Sequence, residues 1–255
     1  MTADVARGTG RFDLGRVMER TFTVIGRNFV TFALAAIVLT GVPSLITVIG
    51  QGGTPFPTSP RGWVIMGTGW LLSLLGAYLL QAAVVHVTVN ALNKRAVTLR
   101  AALGVAVGKL LPLLGLGLLT FLATMLGMVF LIVPGIIIAV VFCVVAPVLV
   151  MENRSIFQSF GRSRELTAGF RWPIFGLFVI YMVVATVISG TVTGISIATG
   201  GAMDGTGSPV VTMIFTPLIA VVQSIIGSAG IAALYYELRT AREGVGIDEL
   251  AELFD

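Results

Sequence analysis

The sequence predicts an all-α fold: a polytopic membrane helix bundle of six transmembrane helices, arranged as three hairpins that are each preceded by an amphipathic interfacial helix. The 255 residues are 56% hydrophobic and only 11% charged, whereas soluble chains are about 45–50% apolar and about 25% charged. Several stretches exceed the roughly 18 nearly uncharged residues of a membrane span. Basic residues cluster in the segments between pairs of these stretches. We therefore expect a single integral membrane domain over residues 1–255.

Six apolar runs predict the spans, at about 29–49, 63–92, 110–132, 136–151, 172–189 and 210–236. The second and sixth exceed the roughly 20 residues that cross the hydrocarbon, so we expect them to tilt or to extend beyond it. Only Val133-Pro134-Gly135 separates the third and fourth runs, which predicts a turn there between antiparallel helices. Other prolines, such as Pro43 and Pro147, fall near span ends. We therefore expect few helix breaks inside the spans.

The charges predict the orientation. Of the 16 Lys and Arg residues, all except Arg61 fall on one side in a six-span arrangement. The positive-inside rule places that side, with both termini, in the cytoplasm. Arginine outnumbers lysine 14 to 2, which is typical of a GC-rich bacterial genome, and no cleaved signal peptide is expected before the first span. We therefore expect a multi-pass protein of the bacterial inner membrane, and no nucleic-acid partner.

The basic segments themselves have helical periodicity. Asp13 is the expected N-cap of the first, and Arg16, Glu19, Arg20 and Arg27 share its polar face. The expected apolar faces of the three segments are Leu14, Val17, Met18, Phe22, Ile25 and Phe29; Leu99, Ala102, Leu103, Ala106, Val107 and Leu110; and Ile156, Phe157, Phe160, Leu166 and Phe170. Such helices are suited to the inner membrane interface.

Each interfacial helix precedes two spans, so the chain divides into three pseudo-repeat units at about 11–92, 98–151 and 154–238. A short acidic tail over 243–255 follows the last unit. Repeats of this kind can form binding sites where they meet.

The third basic segment gathers five candidates for lipid head-group binding or ion pairing: Glu152, Arg162, Arg164, Glu165 and Arg171. The helical wheel places Arg162 and Glu165 on the solvated face. Arg164 lies near the edge of the apolar half, so we expect it to snorkel or to pair with Glu152 or a lipid phosphate. A lone arginine at hydrocarbon depth costs about 2.5–3.5 kcal/mol on insertion scales, so a partner or an interfacial depth is expected.

Four polar residues inside the spans are the other candidates: Gln81, His86, Asn90 and Gln223. His86 and Asn90 are four residues apart and share a face of the second span. A polar path through the membrane is one interpretation of such residues. An interhelical hydrogen bond, worth about 0.6 kcal/mol on average, is the other. One histidine and one cysteine do not supply a metal site, and we expect no metal, cofactor or catalytic residue.

The segment APVLVMENRSIFQSFGRSRELTAGFRWPIFG resembles the membrane domain of glycerophosphoryl diester phosphodiesterases. The residues that carry the resemblance are Pro147, Glu152, Arg162, Ser163, Leu166 and Gly169. The ending ALYYELRTAREG and the opening helix are also similar. The resemblance implies a stand-alone membrane domain without the catalytic barrel, and it transfers no catalytic residue.

The leading functional hypothesis is a non-enzymatic membrane protein that organises lipids, in particular anionic phospholipids, or a membrane-protein partner at the cytoplasmic interface. The alternative is a small transporter or channel whose path runs near Gln81, His86, Asn90 and Gln223. A third hypothesis, a head-group enzyme that uses Glu152 and Glu165, is less favoured. Arginines lie between these two carboxylates, which suits ion pairing better than acid–base catalysis.

Overall fold

The computed structural model describes residues 12–52, 56–92, 98–198 and 209–243. Within these ranges the protein is helical and has no strand. The α-helices are α1 (Leu14–Arg27), α2 (Phe29–Ala36), α3 (Val42–Gln51), α4 (Pro60–Leu92), α5 (Leu99–Gly108), α6 (Leu110–Phe130), α7 (Ile132–Val141), α8 (Val145–Met151), α9 (Ile156–Thr167), α10 (Arg171–Ala198) and α11 (Pro209–Glu243), with a π-helical segment at Ile37–Gly41. Arg7, Arg11, Lys94 and Arg95, which were predicted to lie on the cytoplasmic side, are outside the described residues. So is the predicted acidic tail beyond 243.

Six helical stretches are long and apolar enough to cross a membrane: Phe29–Gln51, Pro60–Ala91, Leu110–Val129, Ile132–Met151, Arg171–Ile195 and Val210–Glu243. The prediction of six spans by length and composition is therefore confirmed. The helices of the fifth and sixth spans, α10 and α11, extend well past their predicted ends near 189 and 236.

Two spans are broken internally, and the expectation of few internal breaks was wrong. The π-helical segment interrupts the first span, and residues 142–144 form a turn between α7 and α8 inside the fourth. Each break lies just before a proline, Pro43 or Pro147. Proline has no N–H to donate to the carbonyl four residues earlier, and its ring crowds that carbonyl. The helix is therefore broken about one turn before the proline, inside the span.

The turn between the third and fourth spans is shorter than predicted. Leu131 alone is extended, with φ −162° and ψ 136°, and α7 begins at Ile132. Pro134 and Gly135 therefore lie in the first turn of α7, where a missing N–H is tolerated. A Cβ on Gly135 would lie 2.8 Å from the backbone nitrogen of Met128. Gly135 therefore does not form the turn. Its role is to let α6 and α7 approach closely.

Helix α4 packs closely against the first span through glycines spaced seven residues apart. A Cβ on Gly62 would lie 2.8 Å from the carbonyl oxygen of Gly50, and one on Gly69 would lie 2.5 Å from the backbone nitrogen of Thr47. A Cβ on Gly76 would collide with the carbonyl of Leu39 in the π-helical segment. Small residues of this kind let membrane helices pack backbone to backbone.

Much of the buried core lies where α4 and α8 meet α11. Residues 82–85 and 87–89 of α4 and 145–150 of α8 are buried, as are Ala232, Ala233 and Tyr235 of α11. In contrast, only 6% of the most apolar part of the fifth span is buried. Because the exposed faces are apolar, they suit contact with hydrocarbon.

Candidate functional site

A buried carboxylate lies at the end of α11 and is paired with two arginines. The Glu237 side chain is 2% exposed, and its Oε1 lies 2.8 Å from Nη2 of Arg16. Its Oε2 accepts a hydrogen bond from Nη1 of Arg20, whose guanidinium also lies 4.9 Å from the centre of the Tyr236 ring. We call these residues the Glu237 cluster. A carboxylate this buried is stable in charged form only when it is paired.

Arg16 and Arg20, which were predicted on the polar face of α1, both pair with Glu237 of α11 in the Glu237 cluster. Val17, Thr21 and Val24 are the buried residues of α1, whereas Met18 and Phe22, predicted to lie on its apolar face, are exposed. The helix is thus oriented by its ion pairs as well as by its hydrophobic residues. Asp13 caps α1 through Gly15, as predicted.

A second carboxylate, Glu152, follows the end of α8. It lies 2.8 Å from Nε of Arg154 and 3.3 Å from Nε of Arg162. The hydroxyl of Tyr235, itself fully buried, donates to Glu152 at 3.1 Å. We call these residues, with Glu243, the Glu152 cluster. Tyr235 and Glu237 are two residues apart on α11, so one helix end holds both clusters.

Arg162 is central to the Glu152 cluster, and its placement on the solvated face was wrong. Its side chain is 18% exposed and pairs with Glu152, Glu243 and, at 3.6 Å, Glu165. Burial would lower the pKa of this guanidinium, but the carboxylates of Glu152 and Glu243 outweigh it and raise the pKa. Arg162 therefore stays charged and ties α9 to α8 and α11.

The inward face of α9 combines small polar residues with part of the predicted apolar face, because Leu166 is buried and Ile156 and Phe160 pack against the core. Ser159, Ser163, Leu166 and Thr167 are buried, whereas Phe157 is 78% exposed. The hydroxyl of Ser163 donates to the carbonyl of Val141 at 2.8 Å, and that of Thr167 donates to it at 3.3 Å. This carbonyl precedes the break in the fourth span. The broken helix therefore supplies an acceptor, and α9 turns its hydroxyls towards it.

The segment after α9 is fixed to α11 as well. Gly169 adopts φ 82°, a conformation that other residues rarely reach, and this bend leads into α10. Arg242 donates to the carbonyl of Ala168 and lies 5.5 Å from the centre of the Phe170 ring. At the other side of α9, Lys109 donates to Asn153. We call the end of the bundle that contains the Glu237 cluster, the Glu152 cluster, α9, Lys109 and Arg242 the basic end.

Arg164 and Arg171 remain exposed at the basic end. Neither forms an ion pair with a carboxylate in the described ranges. Of the three alternatives expected for Arg164, pairing with Glu152 does not occur, because Arg154, Arg162 and Tyr235 engage that carboxylate. Glu165 is 71% exposed and lies 3.6 Å from Nη1 of Arg162.

The four polar residues inside the spans do not form hydrogen bonds with one another across helices in the part of the chain that the structure describes. Asn90 donates to the carbonyl of His86 at 2.7 Å, on the same helix. Gln223 donates to Ser189 of α10 at 3.4 Å. Gln81 and His86 are each partly buried on α4. The contact between α4 and α11 contains buried aliphatic residues such as Val84 and Ala229.

The chemistry available at the basic end is recognition of charge. The oxygens of Glu152 and Glu237 are already engaged by guanidinium or phenol donors, which suits structural ion pairs. No group of three or more His, Cys, Asp or Glu side chains that could hold a metal occurs within the described ranges. Exposed guanidiniums are strong donors to phosphate and carboxylate oxygens.

The fold and this site define a class: the protein has the six apolar helices of a multi-pass membrane protein, with a basic end tied together by ion pairs to the buried Glu237 and the partly buried Glu152. Residues 28–240 match the family described as a domain of unknown function, DUF7847, and the chain belongs to this family. No curated protein and no solved structure matches the chain.

Proposed function

We propose that this protein is a non-enzymatic component of the bacterial inner membrane that organises anionic lipids at its cytoplasmic interface. The observation that carries the proposal is the exposure of Arg164 and Arg171 at the basic end, with no ion-pair partner in the described ranges. The neighbouring arginines are held by Glu152 and Glu237. Exposed arginines near an anionic membrane surface contribute about 1 kcal/mol each to attraction.

The proposal includes an orientation. The six helices form three hairpins, each preceded by an interfacial helix, with both termini in the cytoplasm. Two features support this arrangement: all basic residues except Arg61 lie in the segments assigned to one side, and α1 and α9 contact α11 at the basic end. The resemblance to the membrane domain of glycerophosphoryl diester phosphodiesterases stays a prediction, because the family match states no such relation.

Substituting Arg164→Gln and Arg171→Gln together tests the proposal. We expect the double variant to retain anionic phospholipid at least about tenfold more weakly, because two contributions of about 1 kcal/mol are lost. Native mass spectrometry of protein purified in mild detergent with added phosphatidylglycerol measures the retained lipid.

Arg61→Gln is the matched control, because Arg61 is also exposed and lies in the first turn of α4, about 46 Å along the helix from Leu92. It should retain phosphatidylglycerol like the unmodified protein. Equal lipid adducts on the double variant and the unmodified protein would refute head-group recognition at the basic end.

A further inference from the structure

An apolar groove lies between α1, α10 and α11 at the basic end. Its volume is about 280 Å³, close to the lower end of the roughly 300–1,000 Å³ range of small-molecule sites. Aliphatic and aromatic side chains dominate its walls; those that matter here are Met18, Phe22, Phe178, Val184, Ile226 and Leu234. Gly227 and Gly230 of α11 also line it, and the absence of side chains at these positions deepens it.

We propose that this groove holds one acyl chain of an anionic phospholipid whose head group is bound at Arg171. The inference rests on the proposed function and deepens it, because it assigns the bound lipid a defined site. Nothing in the comparison with the DUF7847 family assigns a ligand to this part of the chain.

The dimensions of the groove favour a hydrocarbon chain over a helix. Its wall on α10 runs from Leu177 to Val184, a distance of about 10 Å along the helix axis. A helix is about 10–12 Å across with its side chains, so it could cover the mouth of the groove but could not fill it. A flexible acyl chain can enter a cleft of this length and volume and bury apolar surface there.

Charge complementarity favours an anionic head group. Arg171 begins α10, six residues before Leu177, and is therefore about 9 Å from the groove along the axis, at its basic end. Arg171 is exposed, and no described carboxylate pairs with it. Arg20, on the α1 side, keeps 27% of its side chain exposed while it pairs with Glu237. A phosphate at the basic end of the groove would thus lie near one exposed arginine that no described carboxylate engages.

The test uses the full-length protein in nanodiscs that contain a trace of phosphatidylglycerol with a diazirine in its acyl chain. Photo-crosslinked positions are mapped by mass spectrometry. We expect crosslinks to concentrate on the groove residues of α1, α10 and α11 and to fall at least fivefold in Gly230→Leu. A Cβ at Gly230 meets no atom within 4 Å, so the leucine extends into the groove without a clash in the backbone.

Gly190→Leu is the matched control, because a Cβ at Gly190 also meets no atom within 4 Å and this glycine lies beyond the groove on α10. It should leave the crosslinks unchanged. Met18→Trp, which narrows the groove from α1, should lower them as Gly230→Leu does, and it keeps the test decisive if Gly230→Leu does not fold.

Crosslinks spread evenly over the lipid-facing helices, or unaffected by both groove variants, would overturn the proposal. Equal labelling by a diazirine phosphatidylcholine would overturn its anionic part. Should the groove variants have no effect while Arg164→Gln with Arg171→Gln still loses phosphatidylglycerol, the groove assignment fails and the proposed function stands.

Discussion

Gly76→Ala is expected to destabilise the protein by more than about 3 kcal/mol, because overpacking against backbone is costlier than the usual 1–3 kcal/mol. The added Cβ would collide with the carbonyl of Leu39, a backbone atom in the π-helical segment. The segment cannot yield easily, because Thr40 donates to Ala36 at 2.7 Å and contacts Ser224 of α11 at 3.2 Å. Denaturation by SDS in mixed micelles measures the free energy of unfolding.

Gly67→Ala is the control on the same helix. A Cβ at Gly67 meets no atom within 4 Å, and alanine favours a helix over glycine by about 1 kcal/mol. This variant should therefore be as stable as the unmodified protein or slightly more so. If Gly76→Ala and Gly67→Ala had the same stability, α4 would not pack on the first span as described.

Glu237→Gln is expected to lower the free energy of unfolding by about 3 kcal/mol, near the lower end of the range for breaking a buried ion pair. The substitution removes the Glu237 carboxylate from both arginines, but the side chains of Arg16 and Arg20 are 40% and 27% exposed and can turn partly towards solvent. The same SDS titration measures the loss. Adding Arg20→Gln to Glu237→Gln should recover part of it, because one unpaired charge is then removed.

Glu165→Gln is the matched control for the buried carboxylate. Glu165 also pairs with an arginine, but it is 71% exposed, and exposed pairs contribute less than about 1 kcal/mol. A loss for Glu237→Gln no larger than that for Glu165→Gln would mean that the Glu237 cluster does not hold α1 to α11.

The spans were predictable because hydrophobicity is a local property of the sequence. Their internal breaks were less obvious, although Pro43 and Pro147 carry the signal: the carbonyl that loses its donor lies four residues before the proline, within the span. The seven-residue spacing of Gly62, Gly69 and Gly76 was also visible in the sequence. It acquires meaning only when the backbone of the first span is found opposite these glycines.

The ion-pair clusters depend on contacts between distant parts of the chain. Glu237 is 217 residues from Arg20, and Glu243 is 81 residues from Arg162, so a helical wheel of one segment cannot place them. One signal was present, since Glu237 is an acidic residue within a long apolar helix. Because an ionisable group inside a span needs a partner, a partner could have been predicted for Glu237 as well as for His86.

Labelling of single cysteines tests the orientation of the basic end most directly. In a Cys143→Ser background, Thr58→Cys and Gly161→Cys place one exposed thiol at each end of the bundle. We expect a membrane-impermeant maleimide to label Thr58→Cys in intact spheroplasts and Gly161→Cys only after permeabilisation. Labelling of Gly161→Cys in intact spheroplasts would place the basic end outside and contradict the proposed orientation.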